Sequence, residues 1–368
     1  MPLVSMRPLL EDAEKRNYAV GAFNVNNMEQ AQGIMNSAIE TKSPFIYQVS
    51  KGALQYSDKE ILVDIIKRLI NKHSHIPVAI HLDHGTSPEL CQEAIELGFT
   101  SVMMDGSLLA DGKTPSDIDY NINVTKQVVD FARDYTKKTG IDITVEGEIG
   151  NLKGLEDGVG TEEEKITNPE DAKRLYEATS LDALAIAWGT SHGAYKGVKG
   201  KPPKLRPDIV EACHRLVPEV YLVSHGSSSV PQNLVDRVNS YGVYHKYTDK
   251  NGHRHIRAFG RDFNLDETDK EGNKTNAENL VRFLFENDRM PQSVGVPMEK
   301  IQEAIKLGMR KINVDTDGRM AVTSTILKVF EEKPSEFDPR KYLGPARDSI
   351  KNDFAENAMI KFGSAGRI

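Results

Sequence analysis

Three histidines in this chain are each followed at once by glycine: His84-Gly85, His192-Gly193 and His225-Gly226. Three imidazoles that leave a fourth coordination position open are the usual arrangement of a catalytic zinc centre. The neighbouring glycine lets the backbone turn sharply or approach a ligand closely. A lone histidine is more often a core or surface residue than a ligand, and the chain has ten. His73, His75, His214, His245, His253 and His255 fall in apparent helices, loops or a polar stretch, and His81 falls inside an apolar run as a structural interior residue. His84, His192 and His225 stand instead at or just past the ends of apolar runs. The other ends carry Asn24, Ser50, Asp83, Asp105, Glu146, Glu148, Asn313 and Asp315. Imidazoles with carboxylates and amides in one place suit metal-assisted chemistry with general acids and bases.

Two further segments could do chemistry. Residues 225–231 (HGSSSVP) put serines ahead of a proline, as at an anion-binding helix start, although a plain serine cap has the same sequence. Residues 148–160 (EIGNLKGLEDGVG) surround Glu156 with glycines, which suits a mobile general base and equally a solvated acidic loop.

The elements that must position these groups recur in order. Eight apolar runs cover residues 18–25, 44–50, 77–85, 101–107, 142–150, 183–189, 220–226 and 311–317. Most are apolar throughout, as buried parallel strands are. Helical patterns fill the gaps: a capping-box sequence at Ser57, a Ser87-Pro88 start and an Asn168-Pro169 start. Eight strand–helix units predict an α/β fold, a single (β/α)8 TIM barrel with an insertion between strands 7 and 8, spanning 1–368. An open doubly wound sheet would want a glycine-rich phosphate turn after its first strand, and FNVNN is not one. The first seven runs start 24 to 41 residues apart, whereas the last step takes 91, so about 50 residues near 244–293 look inserted. That segment is polar and turn-rich, with room for one short helix at 277–286 carrying Phe283, Leu284 and Phe285. A helical extension follows the last strand. In a barrel of this kind the strand ends share one mouth, so the three histidines converge there. Asp83 and His84 are neighbours, and both reach the mouth only if the strand ends at them.

The composition excludes several classes. A net charge of −7 with no long Lys/Arg run makes a poor nucleic-acid or membrane-surface binder. No stretch is long and apolar enough for a signal peptide or a membrane span. The two cysteines, Cys91 and Cys213, have no CxxC spacing and suggest no disulfide framework. A cytoplasmic location is expected.

The motifs AFNVNN, HLDHG, VEGEIG followed by EDG, SHGAYKG, SHGSSS, KINVDTD and DPRKYLGPAR stand in that order from Asn24 to Arg347. In this they resemble the class II, metal-dependent fructose-bisphosphate aldolases, and the HGSSSVP form resembles the Calvin-cycle subgroup. The resemblance implies His84, His192 and His225 as zinc ligands, with Glu148 as an alternative ligand; Asp105, at the end of the fourth run, is a further metal candidate. It implies Asp83 as the acid/base at the C4 oxygen, Glu156 as the base at the dihydroxyacetone phosphate carbon, and Asn313 as the holder of the enediolate. Gly193, Gly226, Ser228, Asp315 and Thr316 match a phosphate site that also takes a monovalent cation, Na+ or K+. Asn24 and Ser50 would line the pocket. Arg340 matches an arginine that reaches a neighbouring subunit's second phosphate, so a homodimer or homotetramer is expected.

The implied reaction is reversible cleavage of fructose 1,6-bisphosphate; a sister activity on tagatose 1,6-bisphosphate or sedoheptulose 1,7-bisphosphate stays open. Three rivals are weighed on the residues. A lysine Schiff base would need a placed lysine, but the run ALAIAWG at 183–189 has none and Lys311 stands toward the wrong end of its strand. A barrel metallohydrolase would want a His-x-His pair, whereas His81 and His84 are three apart. A binding protein without catalysis would not need Asp83 and Glu156 beside three metal ligands.

Overall fold

The computed structural model describes residues 3–156, 159–161, 163–193, 203–240, 245–258, 261–268 and 295–368. In chain order its strands are β1 (Val20–Asn24), β2 (Phe45–Ser50), β3 (Val78–Gly85), β4 (Ser101–Met104), β5 (Thr144–Ile149), β6 (Gly154–Glu156) and β7 (Val159–Thr161). They continue with β8 (Ala183–Ile186), β9 (Tyr221–Ser224), β10 (His245–Thr248), β11 (Arg254–Ala258), β12 (Arg261–Asn264) and β13 (Met309–Val314). Eight of them close a barrel in the order β1-β13-β9-β8-β5-β4-β3-β2, all pairs parallel. This is the expected (β/α)8 barrel. Several strands end earlier than their apolar runs: β4 stops at Met104, β9 at Ser224 and β13 at Val314. The polar residues that follow leave the ladder and so are free to turn into the mouth.

The unbroken apolar character of the runs has two causes, one for each face. Side chains two apart share a face of a strand. Outward ones such as Phe45, Tyr47 and Val49, or Val78, Ile80 and Leu82, form the core between strands and helices. Inward ones such as Val20, Ala22, Ile46, Ala79, Met103, Ala183, Ala185 and Val223 form a second core inside the barrel. The helix Met6–Arg16 closes that core from below with Met6, Leu9, Leu10 and Ala13. Above this apolar floor the inward positions turn polar: His81, Asp83, Ser101, Glu146, Glu148, Lys311 and Asn313 are all buried.

Two helix starts are as expected. Ser87 accepts from Leu90 N, and Asn168 accepts from Glu170 N. The third is not: Ser57 ends the short helix Lys51–Ser57, and its hydroxyl donates to Asn26 O. Asp58 caps the helix Lys59–Lys72 instead, accepting from Glu60 N and Ile61 N.

The described residues of the 244–293 segment hold three strands. β10, β11 and β12 form an antiparallel sheet with Ile256 fully buried. Asp249 accepts from Asn251 N and His253 N, and Gly252 takes a left-handed turn at φ 84°. The expected helix at 277–286, with Phe283, Leu284 and Phe285, lies outside the described residues. The C-terminal extension consists of Pro339–Ser349, a π-helical turn Ile350–Ala355 and Glu356–Phe362. It packs on the helix Met28–Thr41, where a Cβ on Gly33 would lie 2.7 Å from Ile350. Among the described residues no helix is long and apolar enough to cross a membrane.

Candidate metal centre at the barrel mouth

His84 and Asp83 both reach the mouth, by a device the sequence did not suggest. β3 does not end at them. His84 takes a left-handed backbone at φ 48°, and the pairing with β4 slips between Leu82 and Gly85. Such a bulge breaks the two-residue alternation and turns successive side chains to one face. A left-handed non-glycine residue costs on the order of 1–3 kcal/mol, a strain that collects at functional sites.

The three imidazoles meet. The ring centroids of His84 and His225 are 4.7 Å apart, those of His84 and His192 4.9 Å, and those of His192 and His225 6.1 Å. One nitrogen from each lies within 4.8 Å of the others, and all three residues are buried. On His84 the atom turned toward His225 is Nε2, 3.1 Å from His225 Nδ1, and it would be the one offered to a metal there. Its other nitrogen, Nδ1, is 2.9 Å from Asp105 Oδ2. Asp105 Oδ1 in turn accepts from Ser107 N and Oγ at 3.2 and 2.7 Å. Asp105 therefore orients His84 from behind. It also forms, with His84 and Glu148, a second group close enough to hold an ion.

Glu148 Oε2 lies 3.8 Å from His84 Nδ1. Burial and the nearby Asp105 push its carboxyl well above the usual range. Burial works against a charged His84, yet Asp83, Asp105 and Glu148 prevail and raise its proton affinity well above normal. His225 is pushed the other way by burial and by His84. This crowd of carboxylates around imidazoles is short of positive charge. Asp83 Oδ1 and Glu148 Oε2 are buried without a hydrogen-bond partner. Each such atom costs about 1–3 kcal/mol, and a divalent cation between the imidazoles would relieve that cost. The donor set fits the expected metal.

Asp83 is held at the rim of this cluster, with Oδ1 4.0 Å from His84 Nε2. Asn24 Nδ2 donates to Asp83 Oδ2 at 2.9 Å, and Gln48 Nε2 donates to Asn24 Oδ1 at 3.1 Å. Gln48 was missed in the sequence; as a polar residue within the apolar run of β2, two before Ser50, it carried a signal. Ser50 is buried and accepts from Ala53 N as a helix cap. Asn313 abuts His225, with Nδ2 2.9 Å from Nε2.

The segment carrying Glu156 folds as a hairpin of β6 and β7. Gly154, at φ 102°, turns against His192, whose N donates to Lys153 O at 2.8 Å. Glu156 ends β6, and its side chain lies outside the described residues.

In the HGSSSVP segment the helix begins only at Gln232. The amides of Ser229 and Val230 do bind an anion, the Asp317 carboxylate, each at 2.8 Å. That leaves Gly226 and the buried Ser228 as the expected phosphate positions on this loop, while Gly193, at φ 72°, follows His192 after β8. Asp315 pairs with Arg319 at 2.7 Å, and Thr316 opens the next helix, Thr316–Glu332. Arg340 is not at the mouth. It stands exposed at the start of the helix Pro339–Ser349, donating to its own cap Asp338 at 3.0 and 2.8 Å.

A closed parallel barrel with three buried imidazoles and unpaired acid oxygens at its C-terminal mouth defines a metal-dependent enzyme of the (β/α)8 class. The family model for fructose-bisphosphate aldolase class-II matches residues 4–280 and 292–367, and the chain belongs to that family of lyases. A fructose-bisphosphate aldolase of Nostoc commune is 39% identical over 380 residues, taking in 100% of this chain and 91% of that protein. One of Giardia intestinalis is 42% identical over 366 residues, covering 100% of this chain and 94% of that protein. The crystal structure of the YdjI aldolase from Escherichia coli K12 covers 99% of both chains with a TM-score of 0.66; at 24% identity it speaks for the fold alone.

Proposed function

We propose that this chain reversibly cleaves fructose 1,6-bisphosphate into dihydroxyacetone phosphate and glyceraldehyde 3-phosphate, with zinc held by His84, His192 and His225. The observation that carries the metal reading is the convergence of three buried imidazole nitrogens within 4.8 Å. Bound there, the metal supplies a Lewis acid for the ketose carbonyl and for the charge left when the carbon–carbon bond breaks. Asp83, fixed by Asn24, takes the proton from the C4 oxygen in cleavage and returns it in condensation. Glu156 exchanges the proton at the dihydroxyacetone phosphate carbon. The Asn313 amide donates to the oxygen that gains charge. Glu148 is the alternative ligand, and Asp105 acts through His84. Gly193, Gly226, Ser228, Asp315 and Thr316 cradle one phosphate with a Na+ or K+ ion.

A Schiff-base route is disfavoured by Lys311. Its Nζ is fully buried, 2.8 Å from Glu146 Oε2 and 3.2 Å from His81 Nε2. A nitrogen buried and held between those two side chains is not placed to attack a substrate carbonyl. A strong chelator should therefore abolish cleavage and zinc should restore it, while borohydride with substrate leaves activity intact. Covalent trapping of substrate on a lysine would sink the assignment. Steady-state kinetics on fructose, tagatose and sedoheptulose bisphosphates with zinc present would test the substrate, and a higher kcat/KM for either of the latter two would reassign it.

A further inference from the structure

We propose that Glu146 and Lys311 are positioning residues for the metal: their buried ion pair fixes the His225 ring so that Nδ1 faces the metal and Nε2 does not. The inference rests on His225 being a metal ligand. Glu146, Lys311 and His81 are each 0% exposed, in the polar layer between the apolar floor of the barrel and its mouth. The two oxygens of Glu146 are divided between two partners. Oε2 accepts from Lys311 Nζ at 2.8 Å, and Oε1 lies 3.0 Å from His225 Nε2.

The protons of this chain can be placed by donor and acceptor capacity alone. Lys311 is a donor only, so His81 Nε2, 3.2 Å away, accepts. His81 must then carry its proton on Nδ1, which donates to Ser101 Oγ at 2.7 Å. Glu146 takes the donor of Lys311 on Oε2 and presents Oε1 as an acceptor to His225 Nε2. His225 therefore carries its proton on Nε2, and its lone pair is on Nδ1. That atom lies 3.1 Å from His84 Nε2, and Asp105 faces the other nitrogen of His84, Nδ1. Opposite nitrogens of two rings are thus turned toward one point, each by a carboxylate behind it. Two donors cannot face each other, so the Asn313 amide presents Oδ1 to the His225 Nε2–H and turns its NH2 toward the mouth.

A plain stabilising role explains the pair less well. Burying two charges costs about as much as their attraction returns, and apolar residues of the same volume commonly serve stability as well or better. A carboxylate behind a metal-bound imidazole, by contrast, fixes ring orientation and tautomer, and losing it typically weakens metal binding 10–100-fold.

The test uses full-length protein, with zinc affinity measured by competition against a chromophoric chelator. Glu146→Gln alone would leave Lys311 buried and unpaired, so the decisive variant is Glu146→Gln with Lys311→Met, which removes both charges together. It should stay folded but bind zinc about 10–100-fold more weakly, and the visible absorption of its cobalt form should change. Wild-type zinc affinity and an unchanged cobalt spectrum in a folded double variant would overturn the proposal. If that variant does not fold, the ring 15N shifts of His225 in the metal-free wild type decide, assigned by their loss in His225→Asn. A proton on Nε2 supports the proposal and one on Nδ1 overturns it. A wild type that binds no zinc would fail the ligand assignment itself, a different result from either.

Discussion

At the scale of single residues, the mouth separates groups that would touch substrate from groups that aim them. Asp83 has one oxygen tied to Asn24 and the other buried and unpaired. Glu156 comes from a different element, the β6–β7 hairpin. Two carboxylates on separate elements can serve separate protons, so their variants should fail differently. Glu156→Gln should lose proton exchange on dihydroxyacetone phosphate. Asp83→Asn should keep much of that exchange and lose cleavage by about 10²–10⁴-fold, the usual worth of a positioned acid or base. Equal loss of exchange in both would count against the division. Asp105 gives a second test, because an orienting carboxylate and a direct ligand respond differently to an amide. Asp105→Asn still offers an oxygen to His84 Nδ1 and should hold zinc within about tenfold of wild type, whereas Asp105→Ala should lose about 10–100-fold. Near-complete loss of zinc from both variants would make Asp105 a ligand.

Among the elements, the loops after β8 and β9 each carry one histidine of the buried cluster, His192 and His225. They touch at Gly226, which has φ 60° and where a Cβ would fall 2.4 Å from Ser191 O and 2.7 Å from Ser191 C. Both atoms are backbone, so a side chain there must push one ligand-bearing loop off the other. Gly226→Ala should lower the melting temperature and weaken zinc binding together, the strained backbone alone costing on the order of 1–3 kcal/mol. A lower melting temperature with unchanged zinc affinity would mean that the loops part without moving His192 or His225. The bulge at His84 follows the same principle: an element irregularity brings chemistry to the mouth that regular geometry would send to the outside.

For the whole molecule, the open question is what the exposed residues far from the mouth do. The side chain of Arg340 is 89% exposed and, among the described residues, paired only with its neighbour Asp338, a placement suited to a group that serves another copy of the chain. Arginine grips phosphate through a two-pronged, charge-assisted contact. Arg340→Ala should then raise KM sharply for the bisphosphate and spare dihydroxyacetone phosphate exchange. Mixing it with a His84 variant should restore part of the activity after subunit exchange in a homodimer or homotetramer. No recovery despite proven exchange would place the arginine's action within its own chain. The 244–293 segment, a small sheet apart from the barrel in its described portion, is proposed to be a surface or subunit-contact element.

The order of apolar runs determined the barrel, because eight buried parallel strands joined by helices have few ways to hide both faces. Strand-end residue types determined the metal centre: topology alone carries the ends of parallel strands to one mouth, wherever they lie in sequence. The β10–β11 hairpin was legible too, in Asn251-Gly252 between short runs, but the polarity of the segment hid it. Other features were settled only by tertiary contact. Nothing local shows that His84 would adopt a left-handed backbone, that Asp58 would displace Ser57 as a cap, or that Asp317 would occupy the amides of Ser229 and Val230. Nor does the sequence pair Lys311 with Glu146, 165 residues apart. Side-chain partners across a closed barrel depend on strand register and on which face each residue takes, and one residue of slip reverses that face.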